Sequence, residues 1–195
     1  IETFTYAAGT TSFTETHQAL GGETNSTSSD AYTVSLTLTD DDTGVATDSL
    51  SVTVDNVAPV LANVNVTSTI DEDGVVTLTG DIVDPGTQDT FTLDVDWGDG
   101  SGIETFTYAA GTTSFTETHQ YLDDNPTATS SDPYTLSLTL TDDDTGTATD
   151  TVTTTVNNVA PVAAILGGPT TSPEGTAVNL TADVTDPGTL DTVTY

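Results

Sequence analysis

The chain has 195 residues, of which 31 are Asp or Glu and none is Lys, Arg or Cys, so its formal net charge at pH 7 is -31. Nucleic acid and anionic membrane surfaces are excluded as partners, because binding to either requires Lys and Arg side chains that release counterions from phosphate. The lack of cysteine excludes disulfides and thiolate metal sites, and solvent cations are left as the natural counter-charge.

Alternating apolar residues predict about seven short strands between Val60 and Val156, and no segment has helical periodicity. Trp97 is the only tryptophan, and we expect it to anchor the core because it ends an alternating strand just before a Gly98-Asp99-Gly100 corner. About seven short strands separated by turns predict an all-β sandwich. In chain order, the predicted inward positions are Val60, Ala62, Val64 and Val66; Val76, Leu78 and Ile82; Phe91, Leu93, Val95 and Trp97; Phe106 and Tyr108; Phe115, His119 and Tyr121; Tyr134, Leu136, Leu138 and Leu140; and Ala148, Val152 and Val156.

The sequence repeats itself at an interval of 102 residues. The eighteen residues from Ile1 to Gln18 return unchanged from Ile103 to Gln120, and the Asn-Val-Ala-Pro segment at Asn56 returns at Asn158. Self-similarity at a fixed period predicts a repeated structural unit. We expect residues 1–57 to be the back part of one repeat, 58–159 a complete repeat and 160–195 the front of a third, within a longer array.

The Trp97-Gly98-Asp99-Gly100 corner, the Asp84-Pro85-Gly86-Thr87 turn before it and the Asn-Val-Ala-Pro segments resemble the PKD (polycystic kidney disease) domain. The similarity is to the long form of that domain found as tandem repeats in bacterial surface proteins, and it extends over the whole chain. It implies immunoglobulin-like, PKD-type β-sandwich repeats in tandem, with no catalytic function of their own. Such repeats serve as spacers or binding modules outside the cell.

The acidic loops predict a calcium site at the joint between the first and second repeats. Ca²⁺ takes six to eight oxygen ligands from carboxylates and carbonyls, and the sandwich topology brings several acidic loops to that joint. The Asp-Asn-Val-Ala-Pro segment is also similar to the linker of cadherins, where calcium rigidifies successive domains. The predicted ligands are Asp55, Asn56, Asp84, Asp89, Asp142, Asp143 and Asp144, with Glu72 and Asp150 as secondary candidates. Asp150 has the inward parity of its strand, which suits a carboxylate only at the rim of the sandwich beside the loop of residues 142–144.

Two other interpretations of this acidity stay open. Asp in such loops is ordinary turn chemistry, because its side chain bonds nearby backbone amides. A surface of uniform negative charge is also typical of adaptation to high salt, where screening removes the self-repulsion.

We therefore expect a non-enzymatic, extracellular or cell-surface structural repeat, such as an adhesin, stalk or filament segment, with Ca²⁺ stiffening the joints. Its expected partners are the neighbouring repeats of the same chain, and head-to-tail association of copies would extend the array. The alternative is a substrate- or carbohydrate-contacting accessory module of a secreted enzyme, which would need exposed aromatic side chains on a flat sheet face. No nucleophile turn or paired histidine predicts an active site in the chain itself.

Overall fold

The structure is a computed structural model that describes residues 1–18, 27–125, 127 and 129–194, and every regular element in these ranges is a β-strand. No helix long and apolar enough to cross a membrane occurs in the described ranges. In chain order the strands are β1 (Ser29–Thr39), β2 (Val45–Asp55), β3 (Val60–Val66), β4 (Thr69–Asp71), β5 (Gly74–Val83), β6 (Phe91–Asp96), β7 (Ile103–Tyr108), β8 (Ser114–Tyr121), β9 (Ser131–Asp142), β10 (Thr147–Asn157), β11 (Val162–Gly167) and β12 (Thr181–Thr185).

Strands β3 to β10 form a two-layer sandwich. One sheet has the order β3-β5-β8 and the other the order β4-β10-β9-β6-β7. All pairings are antiparallel except that between β10 and the short strand β4, which is parallel. The order is immunoglobulin-like, with the equivalents of strands C, F and G together in one sheet.

The hydrophobic core lies between the two sheets and confirms most of the predicted inward positions. Strand β9 alternates most clearly, with Tyr134, Leu136, Leu138 and Leu140 buried and the threonines and serine between them exposed. Strand β3 departs from the prediction: Val60 is exposed and Leu61 packs against the core. The cause is a register shift between Ala62 and Asn65, where Asn63 has a positive φ and the strand changes face.

Trp97, directly after β6, is fully buried, as predicted, and contacts several residues at one end of the core. Its indole Nε1 donates a hydrogen bond to Glu104 Oε2 at 2.7 Å, and its carbonyl accepts one from the Tyr121 hydroxyl at 2.7 Å. The His119 ring stacks on the indole with 4.7 Å between centroids, and its Nε2 lies 2.8 Å from Asp99 Oδ2. His119 thus has a structural setting against the core.

Hairpin β1-β2 has the same bounds as β9-β10 after a shift of 102 residues, apart from one residue at the end of β9. Among the described residues β1 and β2 pair only with each other, and no second sheet covers their apolar face. Leu38 is accordingly 51% exposed, whereas its counterpart Leu140 is 0% exposed. Strands β11 and β12 likewise form a separate pair.

Candidate metal centre

The first acidic group, called here the upstream cluster, consists of Asp84, Asp89 and Asp142. One carboxylate oxygen of each lies within 4.8 Å of those of the other two. Two ligands of one calcium ion, each about 2.3–2.6 Å from it, are at most about 5.2 Å apart. The spacing therefore suits a single shared ion, and the sequence predicted all three residues.

Turns in the loops after β5 and β9 fix the positions of the Asp84 and Asp142 carboxylates. The sandwich brings the loop after β5 and the turn after β9 to the same pole. Asp84 Oδ1 accepts a hydrogen bond from Gly86 N at 2.7 Å, and Asp142 Oδ1 accepts one from Gly146 N at 2.6 Å. One oxygen of each residue is thus engaged by its own turn. The other oxygen of Asp84, Oδ2, is buried without a hydrogen-bond partner.

Asp89 is the most deeply buried carboxylate of the cluster. It is 1% exposed, and its Oδ1 has no hydrogen-bond partner. Burial, and then the charges of Asp84, Asp143, Asp142 and Asp144, together raise its pKa to about 6. Because the chain contains no Lys or Arg, no protein side chain of fixed positive charge can compensate this group. A bound cation would supply the missing partner.

Residues from the preceding segment meet this pole at the upstream joint, defined here as the place where residues 1–57 meet residues 58–159. Asn56 Nδ2 donates to Asp142 Oδ2 at 2.9 Å, so the amide nitrogen faces the cluster. A cavity of about 230 Å³ lies beside it, lined by Asp55 and Asn56 from the linker and by Asp89 and Asp144 from the sandwich, among others. Asp144 is buried, its Oδ1 lacks a partner, and burial and then the charges of Asp143, Asp142 and Asp30 raise its pKa.

Two predicted ligands, Asp143 and Asp150, lie outside the converging acidic groups. Asp143 ties the two loops together: its Oδ1 accepts from Thr90 N at 2.8 Å and its own N donates to Thr90 O at 3.1 Å. Asp150 was expected on the inward face of its strand, but it is exposed and accepts a hydrogen bond from Thr151 N at 2.8 Å. Neither belongs to an acidic group of the described residues in which three ligand atoms converge.

A second acidic region, called here the downstream cluster, lies where residues 58–159 meet residues 160–195. Glu72, from the turn between β4 and β5, is 4% exposed and belongs to two groups of converging oxygens. One group adds Asp123 and Asp124, and the other adds Asp186 and Asp191. Of these five residues the sequence singled out only Glu72 as a ligand. The match of Asp186 and Asp191 to Asp84 and Asp89 at the repeat interval was the available signal.

Comparisons with known proteins find similar chains among solved structures. No family model and no curated protein matches the chain. Among solved structures, the PKD domain of an M14-like peptidase from a Thermoplasmatales archaeon is similar, with 18% identity and a TM-score of 0.41. That match covers 52% of this chain and 98% of the other.

Proposed function

We propose that this chain is a non-enzymatic, extracellular structural segment built of PKD-like tandem repeats, in which calcium binds at the joints and stiffens them. One observation carries the proposal. Asp84, Asp89 and Asp142 converge, largely buried and without a cationic side chain, at the pole where Asn56 of the preceding segment docks. Neighbouring repeats of the same chain are the proposed partners, and an adhesin, stalk or filament is the proposed context.

The mechanism is electrostatic. Without a cation, clustered carboxylates on the two sides of a joint repel one another and favour separated arrangements. A divalent ion held by Asp84, Asp89 and Asp142, with Asp144 close by, turns the repulsion between the carboxylates into attraction to the ion. It thereby links the loops after β5 and β9 to the linker that carries Asp55 and Asn56. Extracellular modules bind calcium with Kd values of about 10⁻⁴ to 10⁻³ M. A site of that strength fills outside the cell, where calcium is millimolar, and stays empty in the cytosol.

The accessory-module alternative gains no support from the large aromatic residues of the sandwich. Phe91, Trp97, Phe115, Tyr121 and Tyr134 are buried in the core of the sandwich. Carbohydrate contact would require such rings on an exposed sheet face. We therefore keep the structural role as the proposal.

A thermal melt of the full chain tests calcium binding. We expect the melting temperature to rise by about 10 °C or more between EDTA and CaCl₂ at a hundred times Kd, because ligand linkage then contributes about 2.7 kcal/mol to the folded state. MgCl₂ should give a smaller rise, because Mg²⁺ gives up its water reluctantly and demands octahedral geometry. An equal rise with NaCl of matched ionic strength would refute the proposal and favour a surface adapted to high salt.

A further inference from the structure

Glu72 has an unusual position among the acidic residues of the chain. Its Oε1 accepts a hydrogen bond from the backbone N of Val159 at 2.7 Å, so the linker after β10 fixes the side chain. Its Oε2 is buried and has no hydrogen-bond partner. A carboxylate oxygen in such a position lacks the compensation that buried charge requires, and a ligand of positive charge would supply it.

The five carboxylates of the downstream cluster form two sets of three, and Glu72 is common to both. In the first set, oxygens of Glu72, Asp123 and Asp124 lie within 4.8 Å of one another. In the second set the same holds for Glu72, Asp186 and Asp191. Because oxygens that share one calcium ion are at most about 5.2 Å apart, each set has the spacing for one ion.

Apart from Glu72, which is common to both, the two sets come from opposite sides of the joint, and hydrogen bonds from backbone amides of the following segment hold them in contact. Leu190 N donates to Asp123 Oδ2 at 2.8 Å, and Thr189 N donates to Leu122 O at 3.3 Å. Gly188 sits directly over Glu72: a Cβ there would lie 2.6 Å from Glu72 Oε2 and 2.8 Å from Asp191 Oδ2. Glycine at this position allows the loop of the following segment to approach the Glu72 carboxylate closely.

We propose that Glu72 bridges two calcium ions at the downstream joint, one shared with Asp123 and Asp124 and the other with Asp186 and Asp191. This inference rests on the proposed function, which it extends from single ions to a pair with a common ligand. The charges agree with a pair. Five ionised carboxylates carry -5, so one divalent ion leaves -3 and two leave -1. Burial also leaves Oδ2 of Asp124 and Oδ1 of Asp186 without partners, one in each set.

The upstream and downstream joints then differ in capacity. The residues 102 positions before Asp123 and Asp124 are Gly21 and Gly22, which lie outside the described residues and carry no carboxylate. The ion held by Asp123 and Asp124 is therefore particular to the downstream joint. With one ion at the upstream cluster, the described residues provide for three ions in all.

Native mass spectrometry of the full chain at saturating CaCl₂ tests the bridge. Wild type should retain three ions. Glu72→Gln should retain one, because both downstream ions lose their common ligand, whereas Asp124→Asn should retain two. Glu174→Gln is the matched control, because Glu174 stands 102 residues after Glu72 and is exposed. It should retain three, and Trp97 fluorescence reports whether each variant is folded.

A second measurement uses the wild-type chain alone, so it does not depend on how the variants fold. A mixture of Tb³⁺ and Eu³⁺ bound in place of calcium should show energy transfer between the two metals, because bridged ions are neighbours. Equal losses from Glu72→Gln and Asp124→Asn, or a lack of energy transfer in the loaded protein, would overturn the bridge. Failure of the wild type to retain any calcium would instead refute the proposed function itself.

Discussion

The substitution Asp89→Asn is expected to stabilise the chain in EDTA and to destabilise it in calcium. Burial and neighbouring carboxylates raise the Asp89 pKa to about 6, against about 3.9 in an unfolded chain. The folded state therefore binds the proton more tightly, and the ionised group lowers stability progressively as the pH rises from about 4 to about 6. Above about pH 6 the ionised Asp89 lowers the free energy of unfolding by its full amount. Asparagine carries no charge, so we expect the variant's free energy of unfolding to be about 1–3 kcal/mol higher in EDTA at pH 7.5.

In calcium the sign reverses, because the variant lacks a ligand of the upstream cluster. It should lose most of the stabilisation that calcium binding at the upstream cluster gives the folded state, which is about 2.7 kcal/mol at a hundred times Kd. Urea denaturation followed by the fluorescence of Trp97 measures stability in both EDTA and calcium, since Trp97 is the only tryptophan and is fully buried. The gain in EDTA should vanish at pH 4, where Asp89 is largely protonated in the folded chain.

Asp41→Asn is the control, because Asp41 is exposed in the turn between β1 and β2. It should change stability by no more than about 0.5 kcal/mol in either medium. A loss of stability for Asp89→Asn in EDTA as well as in calcium would contradict the account. It would mean that the Asp89 charge is compensated within the protein itself.

Phe115→Ala should destabilise the sandwich by about 3–5 kcal/mol, the usual cost of removing a buried phenylalanine ring. Phe115 is 4% exposed, and its ring packs against Gly80 so closely that a Cβ there would lie 2.5 Å from Phe115 Cζ. Its centroid is also 6.3 Å from that of Tyr108. Removal of the ring leaves a cavity that the surrounding strands cannot fully close.

Phe13→Ala is a closely matched control, because Phe13 stands 102 residues before Phe115 in an identical run of eighteen residues. Phe13 is 44% exposed and stacks only on Tyr6 among the ring contacts, with 5.0 Å between centroids. We expect a change within about 0.5 kcal/mol for this variant in urea denaturation monitored at Trp97. Equal losses for the two variants would show that residues 1–18 are as well packed as their counterparts.

Residue alternation predicted the core correctly where a strand keeps one face buried along its whole length. Strands β5, β6 and β9 are of this kind, and their inward positions are those expected. In β3 the pattern failed at Val60, because a register shift at Asn63 puts the residues before it on the opposite parity from Val64 and Val66. Strand β4 was missed because three residues are too few for a periodic signal.

Only some of the clustered acidic residues could be predicted from the sequence. Asp84, Asp89 and Asp142 could be placed together because the topology fixes which loops share a pole, and because each has an Asp counterpart 102 residues away. Asp123 and Asp124 carry no such signal, because their counterparts are glycines. Asp150 has the inward parity of its strand but is exposed, because β4 covers only Thr155–Asn157 of β10 and the strand is a sheet edge at Asp150.

Stiffening of the upstream joint by calcium is the central claim, and a distance distribution tests it most directly. The chain has no native cysteine, so Thr37→Cys and Thr139→Cys introduce unique spin-label sites on the exposed faces of β1 and β9, on either side of the joint. Double electron–electron resonance should give a broad distribution in EDTA and a narrow one in CaCl₂, and the Asp89→Asn chain should stay broad in both. Equal widths in EDTA and CaCl₂, or the same narrowing with NaCl of matched ionic strength, would contradict the account.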